Sequence, residues 1–154
     1  MSRALDGKNI LLIISGGIAA YKALELIRLI GRAGGSVKSI LTNGGAQFIT
    51  PLSVGALSGQ PVYTELFSLK DETEMGHIRL SREADLIVVA PASASLIART
   101  AQGLADDLAS TVLLATDKPV MIAPAMNPVM WDNAATQDNI AILRKRGFIQ
   151  IGPN

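Results

Sequence analysis

The sequence predicts an α/β protein built around an open parallel sheet, and two observations support that prediction. Short, continuous apolar runs of strand length recur along the 154 residues, and helical patterns lie between them. Continuous runs are typical of parallel strands that are covered on both faces, whereas half-exposed strands alternate. Because strands and helices take turns, we expect right-handed crossovers and a ligand site outside the carboxyl ends of the strands.

The predicted strands and helices follow in chain order. The strands are Asn9 to Ile14, Val37 to Leu41, Asp85 to Ala90, Val120 to Ala123 and, more weakly, Phe148 to Ile151. The helices are Ile18 to Ala33, which has a polar and an apolar stripe and ends at Gly34-Gly35, one that begins near Leu96, and Ala134 to Arg146, which ends at Gly147. This pattern predicts one domain over residues 1–154 with a doubly wound, Rossmann-like open parallel sheet.

Composition narrows the classes of function. The 14 basic and 13 acidic residues nearly cancel, so the sequence has no basic field of the kind that binds nucleic acid. There are no cysteines, which excludes disulfides, thiolate metal sites and a cysteine nucleophile from this chain, and no metal site is predicted. Apolar runs are too short to span a membrane, so we expect a cytoplasmic protein without a membrane partner.

The loop after the first strand is Ser15-Gly16-Gly17. Glycines let the backbone approach a ligand closely, and the free amides that open the next helix favour an anion such as phosphate. A tight turn without a ligand explains the same residues equally well. The dinucleotide fingerprint is absent, because Ile18 and Tyr21 occupy two of its glycine positions. A mononucleotide phosphate therefore fits better than NAD.

Three further loops are predicted at the same edge of the sheet. Thr42 and Asn43 could hydrogen-bond a phosphate or cap the next helix, and Pro91 to Ser95 could form either a helix cap or a shelf for a ligand. Pro124 to Trp131, which reads PAMNPVMW, offers apolar surface and the amide of Asn127. An anion pocket at one end and a flat apolar pocket at the other match the shape of flavin mononucleotide (FMN).

His77 is the single histidine of the chain and precedes a predicted helix. Its side chain could transfer a proton near neutral pH, but on chemistry alone a solvated or capping histidine is the more common case.

Four motifs together resemble the flavin-containing cysteine decarboxylase family, and most of all its phosphopantothenoylcysteine decarboxylase branch. They are SGGIAAYK at Ser15 to Lys22, GHI at Gly76 to Ile78, PASAS at Pro91 to Ser95, and PAMNPVMW at Pro124 to Trp131. The resemblance covers essentially the whole chain in the order and spacing of the family. Four motifs in register are far more specific than any one of them.

The resemblance implies a role for each matching residue. Contacts with FMN are expected from Ser15, Gly16, Gly17, Ile18, Ala19, Thr42, Ser93, Ala94, Ser95 and Ala125. The catalytic histidine of the family falls on His77, and the asparagine that binds the substrate carboxylate falls on Asn127.

Two features depart from the family pattern. Ser95-Leu96 stands where the family has Asn-Thr, which shortens the reach of one expected contact. The substrate-covering flap of the family, with its Ala-Cys-Gly motif, is expected beyond Asn154, and its cysteine is not among the 154 residues. Since that cysteine donates the last proton in the family, we expect this chain to catalyse oxidative decarboxylation and to form the saturated product poorly.

The implied reaction is FMN-dependent decarboxylation of 4'-phosphopantothenoylcysteine to 4'-phosphopantetheine in coenzyme A biosynthesis, after oxidation of the substrate thiol to a thioaldehyde. The family also implies a homotrimer or dodecamer with FMN near the subunit interfaces. A flavin prenyltransferase is the nearest alternative enzyme, although the GHI and PAMN motifs argue against it. A regulatory, non-catalytic FMN-binding protein is the alternative from another class, but such relatives usually carry acidic tails.

Overall fold

The structure is a computed structural model that describes residues 3–64 and 73–153, without the side chains at positions 73–75 and 77. Its strands are β1 (Asn9–Ile14), β2 (Ser36–Leu41), β3 (Val62–Tyr63), β4 (Leu86–Ala92), β5 (Val120–Pro124) and β6 (Ile149–Gln150). Its α-helices are α1 (Tyr21–Arg32), α2 (Pro51–Ser58), α3 (Thr73–Glu83), α4 (Ala94–Gln102), α5 (Leu108–Ala115), α6 (Pro128–Asp132) and α7 (Ala134–Lys145). Two 3-10 turns, Ile18–Ala20 and Gly45–Gln47, precede α1 and α2.

The strands described form one sheet in the order β3-β2-β1-β4-β5-β6, and every pair of neighbours is parallel. The chain winds outward in one direction from β1 to β3 and in the other from β4 to β6. Strand order therefore reverses between β1 and β4, where doubly wound sheets bind their ligands. The predicted doubly wound, Rossmann-like sheet is confirmed.

Both faces of the central strand are buried, as its continuous apolar sequence predicts. Leu11 and Ile13 of β1 join a core cluster that includes residues of α4, α5 and α7. Ile10, Leu12 and Ile14 point to the other face and join a second cluster with residues of α1 and α2. Two separate cores on the two faces hold the strand ends, and with them the edge of the sheet, in fixed positions.

Several predicted boundaries are corrected by the structure. The helix expected from Ile18 begins as a 3-10 turn and becomes α1 only at Tyr21. The helix expected near Leu96 begins two residues earlier, at Ala94, because Ser93 caps it. His77 lies within α3 rather than ahead of a helix.

Two helices for which the sequence pattern predicted no bounds, α2 and α5, start with local capping motifs. Thr50 and Ser53 form a reciprocal capping box at α2, and Asp107 and Ser110 form another at α5. Both helices are apolar on most sides, so they lack the polar stripe by which an amphipathic helix is recognised. Their caps are local signals that the hydrophobic pattern alone does not show.

The start of α5 is tied to α4 by a small charged network. The Ser110 hydroxyl and amide both donate to Oδ1 of Asp107, at 2.6 and 2.8 Å, and Arg99 contacts Oδ2 of Asp107 at 2.9 Å. Burial alone would raise the pKa of the Asp107 carboxyl, but these hydrogen bonds and the Arg99 charge outweigh it and hold that pKa below its usual value.

Asp107→Asn should lower the free energy of unfolding by about 0.5 to 1 kcal/mol at pH 7, because asparagine keeps the cap but loses the charge that pairs with Arg99. A carboxyl whose pKa is lowered by folding stabilises above its unfolded pKa, and that contribution is lost as the pH falls through the folded value. The difference between wild type and variant should therefore shrink below about pH 4 in urea unfolding experiments. Asp117→Asn, at an exposed position, is the matched control. If the free energies of unfolding of wild type and Asp107→Asn differ by the same amount at pH 7 and at pH 3, the charge of Asp107 does not stabilise the fold.

Candidate ligand site at the carboxyl edge of the sheet

The carboxyl ends of β1, β2, β4 and β5 meet at one edge of the sheet, because all the strands are parallel. The loops that leave this edge contain most of the residues that the sequence predicted as ligand contacts. We call this region the carboxyl edge, and its loops start at Ser15, Thr42, Ser93 and Ala125.

Ser15 joins the ends of β1 and β4. Its hydroxyl donates to the carbonyl of Pro91 at 2.5 Å and accepts from the amide of Ser93 at 2.8 Å, and its own amide donates to Pro91 at 3.2 Å. The residue is 1% exposed. A serine hydroxyl has one proton and two lone pairs, so only one lone pair is left for another partner. In this structure Ser15 positions two loops relative to each other.

Ser93 donates its amide to the Ser15 hydroxyl and also caps α4 with its own hydroxyl. Its hydroxyl accepts from the amide of Leu96 at 3.1 Å, which confirms the capping alternative for this loop. Ala94 and Ser95 follow as the first residues of α4, and Ser95 is exposed.

The end of β5 is linked to β4 in the same way. The amide of Ala125 donates to the carbonyl of Ala92 at 3.1 Å, so the segment after β5 stays beside the end of β4. Ala125 is half-buried.

Thr42 follows β2 and is almost fully buried. Its amide donates to the carbonyl of Ile14 at 3.1 Å, and its hydroxyl accepts from the amide of Gly45 at 3.0 Å. Thr42 caps neither of the next helical segments, because the turn Gly45–Gln47 has no side-chain cap and Thr50 caps α2. Asn43 beside it is exposed.

The loops after β1 and β2 touch through glycines. A Cβ added to Gly16 would lie 3.1 Å from the Cα of Gly44, and a Cβ added to Gly45 would lie 2.5 Å from the carbonyl oxygen of Ile14. A side chain at Gly45 would therefore clash with the end of β1, and one at Gly16 would require the Gly44 loop to move by a few tenths of an ångström. Sequence reasoning missed Gly44 and Gly45, although a glycine pair directly after β2, as after β1, was a signal that could have identified them.

The chain enters α1 through a short turn that no described side chain caps. Gly17 has a φ of 152°, which side-chain-bearing residues rarely adopt, and nothing lies within 4 Å of the position of its missing Cβ. In the described part of the chain no side chain caps the turn that starts at Ile18, so its first amides keep their donors for a ligand. Ile18 is 79% exposed, and Ala19 after it is half-buried.

The segment after β5 is a short helix rather than the loop that the sequence predicted. Asn127 caps α6, and its Oδ1 accepts from the amide of Met130 at 2.9 Å. Pro128 occupies the first turn, where its missing amide costs no hydrogen bond. The Asn127 side chain is exposed, and its amide nitrogen donates to no residue in the described ranges. Two N–H donors of fixed position therefore remain available to an anion.

A cleft of about 320 Å³ lies between the start of α1 and the ends of β4 and β5. We call it the α1 cleft. Its lining includes Ala19, Lys22, Ala23 and Leu26 on one side and Ala90, Pro91, Ala123, Pro124 and Ala125 on the other. Small and mostly apolar residues line this cleft, which lies directly beside the carboxyl edge.

A larger cavity of about 390 Å³ lies elsewhere, near the starts of β1 and β2. None of the predicted site residues lines it. Lys38 and Glu83 are part of its lining and form an ion pair at 2.6 Å. The hydrogen bond from Lys38 lowers the pKa of the Glu83 carboxyl. This ion pair accounts for both charged side chains of the lining.

The predicted catalytic histidine, His77, lies in α3, but its side chain falls outside the described residues. Over residues 3–64 and 73–153, no helix has the length and apolar character of a membrane span. The same part of the chain shows no cluster of three or more acidic, histidine or cysteine side chains that could hold a metal ion.

The sheet and its glycine-rich carboxyl edge define an α/β protein of the mononucleotide-binding class. A family model described as Flavoprotein matches residues 1–154, and the chain belongs to this family.

Relatives of known name agree with this assignment. The chain is 50% identical over 151 residues to the coenzyme A biosynthesis bifunctional protein CoaBC of Escherichia coli and to that of Vibrio cholerae. Each match covers 98% of this chain but only 37% and 38% of the respective relative. The chain thus spans less than half the length of these relatives.

Solved structures with the same fold include two decarboxylases. The FMN-dependent cysteine decarboxylase SpaF matches with a TM-score of 0.89 and 30% identity, over 98% of this chain and 87% of that one. A PPC decarboxylase mutant complexed with pantothenoylaminoethenethiol matches with a TM-score of 0.82 and 31% identity, over 96% of this chain and 82% of that one.

Proposed function

We propose that this chain binds FMN and catalyses the decarboxylation of 4'-phosphopantothenoylcysteine in coenzyme A biosynthesis. The relatives named CoaBC and the structural similarity to PPC decarboxylase support this activity. The observation that carries it is the contact between Gly16 and Gly44, because it leaves bare backbone in the loop after β1, next to the point where strand order reverses between β1 and β4.

The residues of the carboxyl edge fit an FMN phosphate. The uncapped first turn, from Gly17 to Ala19, offers amide donors and the positive end of α1. Ser15 and Thr42 already have partners within the protein, so their main contribution is to hold the two glycine loops at the right spacing. Ser93, Ala94, Ser95 and Ala125 form the neighbouring floor, where small side chains leave room for a flat ring.

When bound, FMN supplies an acceptor for two electrons, which allows the carbon that bears the substrate thiol to be oxidised. Asn127 would bind the substrate carboxylate with its free amide group, while its cap on α6 fixes the direction of that group. Each such hydrogen bond to a charged group contributes about 1.5 to 3 kcal/mol. The imidazole of His77 would hold or accept the thiol proton, because imidazole is the side chain suited to proton transfer near neutral pH.

We also propose that the chain assembles as a homotrimer or dodecamer with FMN near the subunit interfaces. Its proposed location is the cytoplasm. Large apolar side chains that are about 80% exposed support an interface near the site, namely Ile18, Leu52 and Val129. Ile18 and Val129 belong to loops or helices that leave the carboxyl edge.

The FMN-loaded protein should release carbon dioxide from 4'-phosphopantothenoylcysteine, and His77→Asn should abolish release while FMN affinity stays within about twofold. The reason is that asparagine cannot take up a proton near neutral pH. The measurement is trapped carbon dioxide, with flavin absorbance as the control for cofactor content. If wild type with full cofactor releases none, the proposed activity is wrong; if His77→Asn keeps wild-type release, the role of His77 is wrong.

Asn127→Asp should reduce decarboxylation by about 10- to 1000-fold, because aspartate still caps α6 but replaces two amide donors with a negative charge. FMN affinity should not change. Asn133 offers a matched control, since it caps α7 by accepting from the amide of Ala135 at 2.9 Å. The two Asp variants are compared by kcat/KM for carbon dioxide release, and equal rates in both would show that Asn127 acts only as a cap.

A further inference from the structure

One cation of the α1 cleft has no partner in the part of the chain that the structure describes. Lys22, in the first turn of α1, is the single charged residue in the cleft lining. It is exposed and forms no hydrogen bond or ion pair with the residues described. The other lining residues are alanines, prolines and Leu26. A lone ammonium at an otherwise apolar cleft is suited to an anion at one end of an aliphatic ligand.

We propose that Lys22 determines substrate specificity by binding the phosphate monoester of the substrate at the α1 cleft. This assignment rests on the proposed function and identifies which end of the substrate the cleft receives. The aliphatic pantothenoyl arm would lie along the apolar lining of the cleft, from the phosphate at Lys22 toward Ala125, and the reacting end would lie near Asn127, two residues further on.

The carboxylate of the substrate is a poorer partner for Lys22 than the phosphate. A carboxylate that leaves as carbon dioxide loses its charge, so an ion pair would stabilise the bound substrate more than the transition state. The neutral amide of Asn127 suits that group better. The phosphate keeps its charge throughout the reaction, so a full positive charge can bind it without opposing the chemistry.

The phosphate of FMN is also a poorer partner. Of the residues expected to contact the cofactor, Ala19 and Ala125 line the α1 cleft, whereas Gly16, Gly17 and Thr42 do not. That phosphate has amide donors of its own at the turn before α1. Lys22 therefore remains for a second phosphate.

Calorimetric titration of the FMN-loaded protein with 4'-phosphopantetheine and with pantetheine tests the assignment, because the two ligands differ only in the phosphate and neither reacts. Lys22→Gln should weaken binding of the phosphorylated ligand by about 10- to 100-fold and change pantetheine binding by less than about twofold. Lys22→Arg should stay within about threefold of wild type for both. Arg28→Gln removes an exposed charge from the same helix, outside the cleft, and should change neither affinity.

If Lys22→Gln loses the same affinity for both ligands, the assignment is wrong. It is also wrong if the wild type binds 4'-phosphopantetheine and pantetheine equally well. Loss of FMN affinity in Lys22→Gln also overturns it, since the cation would then serve the cofactor. Carbon dioxide release is measured on the same samples. The wild type could bind the phosphate through Lys22 and yet release no carbon dioxide. That result supports the assignment of Lys22 and contradicts the proposed activity.

Discussion

The carboxyl edge depends on one side chain, the buried hydroxyl of Ser15. It donates to Pro91 and accepts from Ser93, and so joins β1 to β4 where strand order reverses. The connection continues outward, because Ser93 caps α4 and Ala92 accepts from the amide of Ala125. Three loops that are far apart in sequence are thereby fixed relative to one another by a short chain of hydrogen bonds.

The second constraint on this edge is that its loops need residues without side chains. Gly16 and Gly44 approach so closely that a side chain on either would separate the loops, and Gly17 leaves the entrance to α1 uncovered. The uncapped amides of the turn before α1 are donors that favour an anion. The positive charge of Lys22 belongs to the lining of the α1 cleft, on the same side as Ala19. Under the proposed assignments, the amides bind the phosphate of FMN and Lys22 binds the phosphate of the substrate.

Sequence patterns predicted the architecture well and the hydrogen bonds poorly. The bounds of β1 were predicted correctly because a strand buried on both faces has a continuous apolar sequence. Ser15 was predicted only as a ligand contact, since its partners lie 76 and 78 residues away and no periodic pattern reveals them. Asn127 was predicted to bind substrate, but its cap on α6 became visible only when the segment proved helical. The contacts of His77 stay a prediction.

The central claim is that Ser15 holds the cradle for FMN together. It is tested most directly by titrating flavin fluorescence with wild type, Ser15→Ala and, as a control for lost stability, Ser110→Ala, which removes a buried hydroxyl from the start of α5. Losing the acceptor of the Ser93 amide costs about 1 to 3 kcal/mol, so the Kd for FMN should rise about 5- to 100-fold in Ser15→Ala and stay near the wild-type value in Ser110→Ala. Wild-type FMN affinity in a folded Ser15→Ala protein would contradict the account.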